Sequence, residues 1–326
     1  MRAVFCRTYG GPEVVSMEDA PKPEAGPGEI LIRVMASTVS AADRRIRSRD
    51  VPTGFALPMR LVFGWSRPKK PILGTDLAGI VEAIGPGVTR FSPGDAVIAN
   101  VGAALGCHAE YRVLPEKAAI VKKPETLSFE EAAALVFGGT TALFSLRDLL
   151  ALQPGEHVLV NGAGGAVGSA AVQIAKAMGA TVTAVASGGK HNLLRSIGAD
   201  AFIDYEREAV PGTVPRYDAI LDCHGNLGAS NSATALTAKG RLGLVVAGLP
   251  QYLAMPFTNL ISPKKVRAGV VSEKAEDLQS LVALAENGQF RPVIGAVFPL
   301  DQARLAHEAV ESSHKTGNVV LQLSTD

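Results

Sequence analysis

The chain of 326 residues is expected to be an α/β protein of two domains, one rich in short strands and one built on a doubly wound parallel sheet. Three observations carry that expectation. At roughly 150 residues per domain the length makes two. Glycine and proline, 34 and 20 of them, cut the first third into short apolar stretches, the pattern of antiparallel strands and tight turns. From about Pro124 onward strand and helix patterns alternate, as a parallel sheet requires.

The first domain is read from EILIRVMAST, AGIVEAIG, DAVIAN and AEYRVL, separated by AGPG, GPG and SPGD. The second begins with EEAAALVFGGTTALFSL and runs through HVLVNG, AVGSAAVQIAKAMG, TVTAVA, KHNLLRSIG, AFIDY, YDAILDC and RLGLVVAG. A strand-like RAGVVS, helices at EDLQSLVALAENG and LDQARLAHEAVESSH, and a closing strand NVVLQL return to the first domain. The expected division is 1–123 with 267–326, and 124–266.

Composition excludes several classes. With 47% hydrophobic and 19% charged residues there is material for two cores, so disorder is excluded. A net charge of +1 gives no field to attract nucleic acid or an acidic membrane surface, and neither is expected as a partner. Cys6, Cys107 and Cys223 lie far apart, which suits neither a disulfide framework nor a cysteine zinc lobe and points to a reducing, cytoplasmic setting. No apolar h-region opens the chain, so export is not expected. The uncharged run Leu242 to Pro263 is broken by Pro250, Pro256, Gln251 and Asn259 and is not read as a membrane span.

Asn161, Gly162, Ala163, Gly164, Gly165, Ala166, Val167 and Gly168 follow a strand and open a helix. Glycines there let a pyrophosphate approach the backbone, and the helix N-terminus presents unpaired NH groups to it. The spacing is GxxGxxG rather than the strict GxGxxG, but the strand-to-helix context makes it a dinucleotide site. An acid that would accept bonds from the ribose 2′-OH belongs about 20 residues on. Between Glu156 and Asp200 there is none, and Ser187 and Lys190 stand where the second strand ends. A hydroxyl and an ammonium suit a 2′-phosphate, so the expected cofactor is NADPH.

The ordered blocks GTDLAGIVEAIGPGVTRFSPGD, AEYRVLP, FGGTTALFSL, GAGGAVGSAAVQIAKAMGATV, SIGAD and HEAVESSHKTGNVVLQL resemble the medium-chain dehydrogenase/reductase superfamily from end to end, and most of all its zinc-free quinone oxidoreductase branch of the zeta-crystallin type. The resemblance implies a GroES-like β-barrel catalytic domain with a Rossmann cofactor domain inserted in it, and a homodimer formed through the cofactor domain's sheet edge. Where the superfamily's zinc alcohol dehydrogenases carry metal ligands, this chain has Ser40, Thr75 and Phe137. Two hydroxyls and an arene do not make a zinc site, so no metal is expected.

Without a Lewis acid the acceptor must be activated itself, which favours a quinone or an α,β-unsaturated carbonyl. Two alternatives stay open: a zinc-free alcohol or carbonyl dehydrogenase, and an NADPH-binding protein with little turnover. The resemblance places Thr141, Ala247, Gly248, Val271 and Ser272 at the nicotinamide, Tyr205 at the 2′-phosphate, and Asn318 where relatives commonly carry lysine. Ser40 and Asp43 belong to the segment that faces the nicotinamide, though Asp43 is equally readable as a buried carboxylate fixing a turn. Phe55, Phe63 and Trp65, with Thr75 and Phe137, are the candidate substrate pocket, packing under a helix being the alternative for the first three. Arg44, Arg45, Arg47 and Arg49 read as a solvated helix face. His108 and His224 are weak candidates.

Overall fold

A computed structural model describes residues 1–210, 212, 216–312 and 315–324. The elements in chain order are β1 (Arg2–Cys6), β2 (Val15–Asp19), β3 (Glu29–Val39), α1 (Ala41–Ser48), α2 (Ala56–Phe63), β4 (Asp76–Ile84), β5 (Ala96–Asn100), β6 (Tyr111–Pro115) and β7 (Ile120–Lys122). Then come α3 (Phe129–Phe144), β8 (His157–Asn161), α4 (Ala166–Ala177), β9 (Thr181–Ala186), α5 (His191–Ser196), β10 (Ala201–Asp204), β11 (Tyr217–Asp222), α6 (Ala229–Ala233) and β12 (Leu236–Leu244). The chain closes with α7 (Leu249–Ile261), β13 (Lys265–Ala268), α8 (Ala275–Glu286), β14 (Ile294–Pro299), α9 (Ala303–Glu311) and β15 (Asn318–Gln322).

Two large sheets organise these elements, and β1 and β2 pair in a separate two-stranded sheet. A seven-stranded sheet follows the order β14-β15-β3-β4-β5-β7, with β6 also on β3. The long β3 is its axis: one edge pairs with β4, while the other pairs first with β6 and then with β15. The C-terminal strands therefore complete a sheet begun near the N-terminus, antiparallel except for the parallel pair β14–β15.

The second sheet is parallel, in the order β10-β9-β8-β11-β12-β13. Helices cover it, and its central strands Val158–Val160 and Ala219–Leu221 are fully buried, so they read as unbroken apolar runs. The order reverses between β8 and β11, which opens a crevice at the carboxyl end of β8 where ligands bind in such folds. The RAGVVS stretch, expected to return to the first domain, does not do so as a strand: Arg267 and Ala268 end β13, which pairs with β12 in this parallel sheet, and the outer edge of β13 is unpaired among the described residues.

The arginine run is not a solvated face. Helical spacing puts Asp43, Ile46 and Arg47 on one side of α1, and all three are buried. Arg47 is fully enclosed, donating to Gly10 O at 2.7 Å and to Glu311 at 2.5 Å. That side packs on α9, so its cation had to find partners inside.

Candidate functional site

One pocket gathers the glycine-rich turn and the start of α1. Ser40, Ala41, Phe137, Gly162, Gly165, Ala166, Val167, Gly168, Lys315 and Asn318 line it together with Val39 and Cys223. Three local features build it. Gly165 is the N-cap of α4, so the first NH groups of that helix open into the pocket. Helix α3 reaches the turn because Gly138 lacks a side chain: a Cβ there would come within 2.8 Å of Ala166 O. From the other sheet, Gly317 N donates to Gly164 O at 2.8 Å, and Gly165 and Gly317 form an isolated parallel bridge.

Lysine 190 lies over the turn. A Cβ on Gly164 would sit 2.3 Å from Lys190 Cδ and 2.9 Å from its Nζ, so the glycine is what admits the lysine. Lys190 Nζ donates to Lys315 O at 2.7 Å. Burial lowers the Lys190 ammonium's pKa, and it takes Lys315 down to about 8, with Arg44 and Lys190 adding repulsion. Lys190 and Lys315 thus stand beside helix N-terminal NH groups, an arrangement that fits a phosphate. Sequence reasoning missed Lys315. Asn318, which stands where relatives commonly carry lysine, lines the pocket, and its side-chain amide donates to Val293 O at 3.0 Å.

The other cofactor-side residues fall into two groups. Asn161 Nδ2 donates to Asp222 at 2.8 Å and to Asn226 at 2.7 Å, and Asp222 takes the amides of His224, Gly225 and Leu227. This network holds the loop after β11 against the glycine turn, and His224 Cβ would be 3.4 Å from a Cβ on Gly162. At the sheet's end Ser187 follows β9 and Tyr205, half exposed, follows β10. Here the structure adds an acid that counting along the chain did not find: Asp204 Oδ2 lies 2.6 Å from a Cβ built on Gly188. Asp204 caps its own turn through Glu206 N and pairs with Arg207 at 3.6 Å.

Ser40 is the N-cap of α1 in a reciprocal capping box with Asp43. Ser40 Oγ donates to Asp43 Oδ2 at 2.6 Å, and Gly74 N donates to Oδ1 at 2.9 Å. Asp43 is therefore a fully buried carboxylate that fixes a turn and also touches the pocket-lining hydroxyl. Thr141 Oγ1 donates to Phe137 O at 2.8 Å, which engages its hydroxyl within α3.

The proposed substrate residues are not all brought together. Phe137 lines the pocket, and Thr75 is buried beneath it next to Asp76. Phe63 lines a separate small cavity with Tyr9, Met59 and Arg60, and Trp65 is 60% exposed with Arg60 over its ring. Phe55 packs edge-on against Tyr252 at 5.8 Å, beside a bond from Leu249 N to Thr53 O at 2.8 Å. That contact ties the loop before α2 to Gly248, at the start of α7, across the two sheets. Val271 and Ser272 lie between β13 and α8, half-buried and exposed.

Ser40, Thr75 and Phe137 offer no nitrogen or sulfur ligand, and these residues do not fit a zinc ion. Among the described residues no group of three or more His, Cys, Asp or Glu is placed to hold a metal, and no helix is long and apolar enough to cross a membrane.

Residues 26–125 match the family model of the alcohol dehydrogenase GroES-like domain, and 197–321 that of the zinc-binding dehydrogenases. The chain is 33% identical to a chloroplastic quinone oxidoreductase of Triphysaria versicolor over 99% of its length and 98% of the relative's. It is 32% identical to a chloroplastic NADPH-dependent alkenal/one oxidoreductase of Arabidopsis thaliana, over 98% and 79%. Among solved structures, the quinone oxidoreductase from Coxiella burnetii superposes with a TM-score of 0.87 at 28% identity, covering 99% of both chains.

Proposed function

Since the chain belongs to the quinone oxidoreductase branch of the medium-chain dehydrogenase/reductase superfamily, we propose that it reduces quinones and α,β-unsaturated carbonyls with NADPH and without zinc. The observation that carries the reading is the pocket in which Ser40 faces the glycine turn while Lys190 and Lys315 converge on it. NADPH, when bound, supplies the hydride.

This chain's residues supply the rest. Gly162 to Gly168 and the α4 N-terminus receive the diphosphate. Lys190, with Ser187 and Tyr205, receives the 2′-phosphate, Asp204 being engaged by its own turn and Arg207. Lys315 and Asn318 line the same pocket, and Lys315 adds a cation to it. Ala247, Gly248, Val271 and Ser272 offer backbone to the nicotinamide end, and Phe137 and Thr141 shape the wall. Ser40 Oγ is the polar group nearest the developing charge, and Asp43 orients it. An acceptor that spreads charge over a quinone or enone needs no stronger electrophile.

The same reading takes 1–123 with 267–326 as the catalytic unit and 124–266 as the cofactor unit, in a cytoplasmic homodimer. The open edge of β13 and the exposed Leu253, Phe257, Leu260 and Ile261 of α7 support self-association. The deciding experiment is NADPH oxidation against a panel of quinones and enones. NADPH bound tightly with no acceptor consuming it would convict the reading, as would NADH bound as firmly as NADPH. Lys190→Glu should weaken NADPH far more than NADH, and equal losses would remove Lys190 from the phosphate site.

A further inference from the structure

Helix α2 turns an apolar face to solvent. Its spacing puts Phe55, Met59 and Phe63 on one side, and Met59 and Phe63 pack there against the small core of Cys6, Ile46, Leu73 and Leu105. The other side carries Leu57, Leu61 and Val62, and Trp65 follows just past the helix end; all four are 56 to 63% exposed. No residue of α2 is buried. An ordinary surface helix carries polar side chains on its outer side, and a contiguous apolar face marks a contact surface.

Cations ring this face. Arg60 lies over the Trp65 ring at 5.1 Å, Arg49 donates to Trp65 O, and Lys69 Nζ donates to Leu61 O at 2.6 Å. Lys70 Nζ donates to Ala103 O at 3.3 Å, and Arg67 is exposed. None of the five has a carboxylate partner among the described residues. From Val51 to Thr75 the chain has Arg60, Arg67, Lys69 and Lys70 and no Asp or Glu. The total of +1 therefore conceals a strongly positive segment. With charges screened over about 10 Å, a facing surface meets this local charge and not the total.

We propose that α2 with the segment to Lys70 is a peripheral contact site for an anionic lipid surface. Leu57, Leu61 and Val62 enter the boundary between headgroups and acyl chains, and Trp65 sits at headgroup level, where an amphipathic ring is favoured. Arg49, Arg60, Arg67, Lys69 and Lys70 meet the lipid phosphates. The helix lies on the bilayer and does not cross it, since its 8 residues reach only about 12 Å. Two other occupants fit less well. A second copy would press like charges together, whereas the exposed stripe of α7, Leu249–Ile261, has no charged residue within it. A nucleic acid would take the cations but leave Leu57, Leu61 and Val62 without a partner, because bases are held by stacking on aromatic rings. The proposal stands apart from the reductase reading, since lipid binding is read without cofactor or acceptor.

Trp65 is the chain's one tryptophan, so intrinsic fluorescence reports this site directly. The full chain is mixed with vesicles of phosphatidylcholine, alone or with phosphatidylglycerol, and bound protein is measured by co-sedimentation. With phosphatidylglycerol the Trp65 emission should move to shorter wavelength and become shielded from acrylamide. Affinity should exceed that for phosphatidylcholine alone by at least about tenfold, the excess fading as salt is added. Lys69→Gln with Lys70→Gln should cost about tenfold, and Leu57→Ser with Leu61→Ser should abolish binding. All four side chains are exposed, and unchanged circular dichroism and Tm would establish that both variants fold. A chain that ignores phosphatidylglycerol vesicles overturns the site, as does vesicle binding that neither double variant weakens. A blue shift that grows with protein concentration and needs no vesicle makes a second copy the occupant, and retention on heparin without vesicle binding makes it a polyanion; either overturns the lipid assignment.

Discussion

Lys190 Nζ donates to the main-chain carbonyl of Lys315 at 2.7 Å, joining residues 125 positions apart. One belongs to the turn after β9 and the other to the segment entering β15, so the bond fastens the two sheets over the glycine turn. A 2′-phosphate arriving there competes for the same ammonium. Lys315→Met keeps that carbonyl but removes the second ammonium lining the pocket, and should cost NADPH about tenfold in affinity, roughly the 1.4 kcal/mol of one charge-assisted contact, while 2′,5′-ADP and 5′-ADP binding by calorimetry would show which phosphate it serves. Unchanged affinity for both probes would exclude it from the site.

The protonation of Lys315 makes a second, independent prediction. Its folded pKa is lowered to about 8 from 10.5, first by burial and then by Arg44 and Lys190. Above about 8 the free protein carries a neutral amine, and an incoming anion favours its ammonium form. NADPH affinity should accordingly fall as pH rises through that value, with about one proton taken up per cofactor. Calorimetry in buffers of different ionisation enthalpy reads the uptake, which Lys315→Met should abolish.

The residues that carried the fold were legible because their signals are local. Strand-to-helix alternation and the glycines between Asn161 and Gly168 are properties of adjacent positions, and β8, β9, β11 and β12 appear where the pattern placed strands, whereas β7 and β14 were not read from it. What stayed hidden depends on distant contacts. Lys315 lies inside the block HEAVESSHKTGNVVLQL, where nothing marks it as a cofactor contact, and acquires meaning only when Gly317 docks on Gly164. Asp204 escaped a count along the chain because β10 runs beside β9. Arg47 looked like surface charge because nothing in the run of arginines announces that α9 covers that side. Aromatic Phe63 and Trp65 have no periodicity that distinguishes a substrate mouth from packing around Tyr9.

His307 offers a stability prediction. It is fully buried on α9, and neither ring nitrogen has a hydrogen-bond partner. Burial, followed by repulsion from His108 and Arg47, drives its pKa from 6.5 to about 2. The sign follows from linkage: with the folded value depressed, the unfolded chain takes the proton first, so this contribution is intact above 6.5 and is lost as pH falls toward about 2. The slope attributable to one such group is about 1.4 kcal/mol per pH unit. His307→Leu should flatten the acid limb of a Tm-against-pH plot, and removing the uncompensated nitrogens should stabilise by about 1–3 kcal/mol at neutral pH. An unaltered acid limb in the variant would refute the assignment.

The outer face of α7 makes the last prediction. Leu253, Phe257, Leu260 and Ile261 recur at helical spacing and are 65 to 84% exposed, while Val270, just past β13, is 82% exposed. A parallel sheet ending on an unprotected strand beside such a stripe invites a second strand edge. Covering each of these side chains would contribute about 1.5–3 kcal/mol, enough together to outweigh the entropy of pairing two chains. A charge placed in the stripe cannot be buried without a partner. Phe257→Glu with Leu260→Glu should therefore give monomers by analytical ultracentrifugation while each monomer still binds NADPH, because the glycine turn and Lys190 lie elsewhere. Wild-type chain that sediments as a monomer across micromolar concentrations would remove α7 from any self-association.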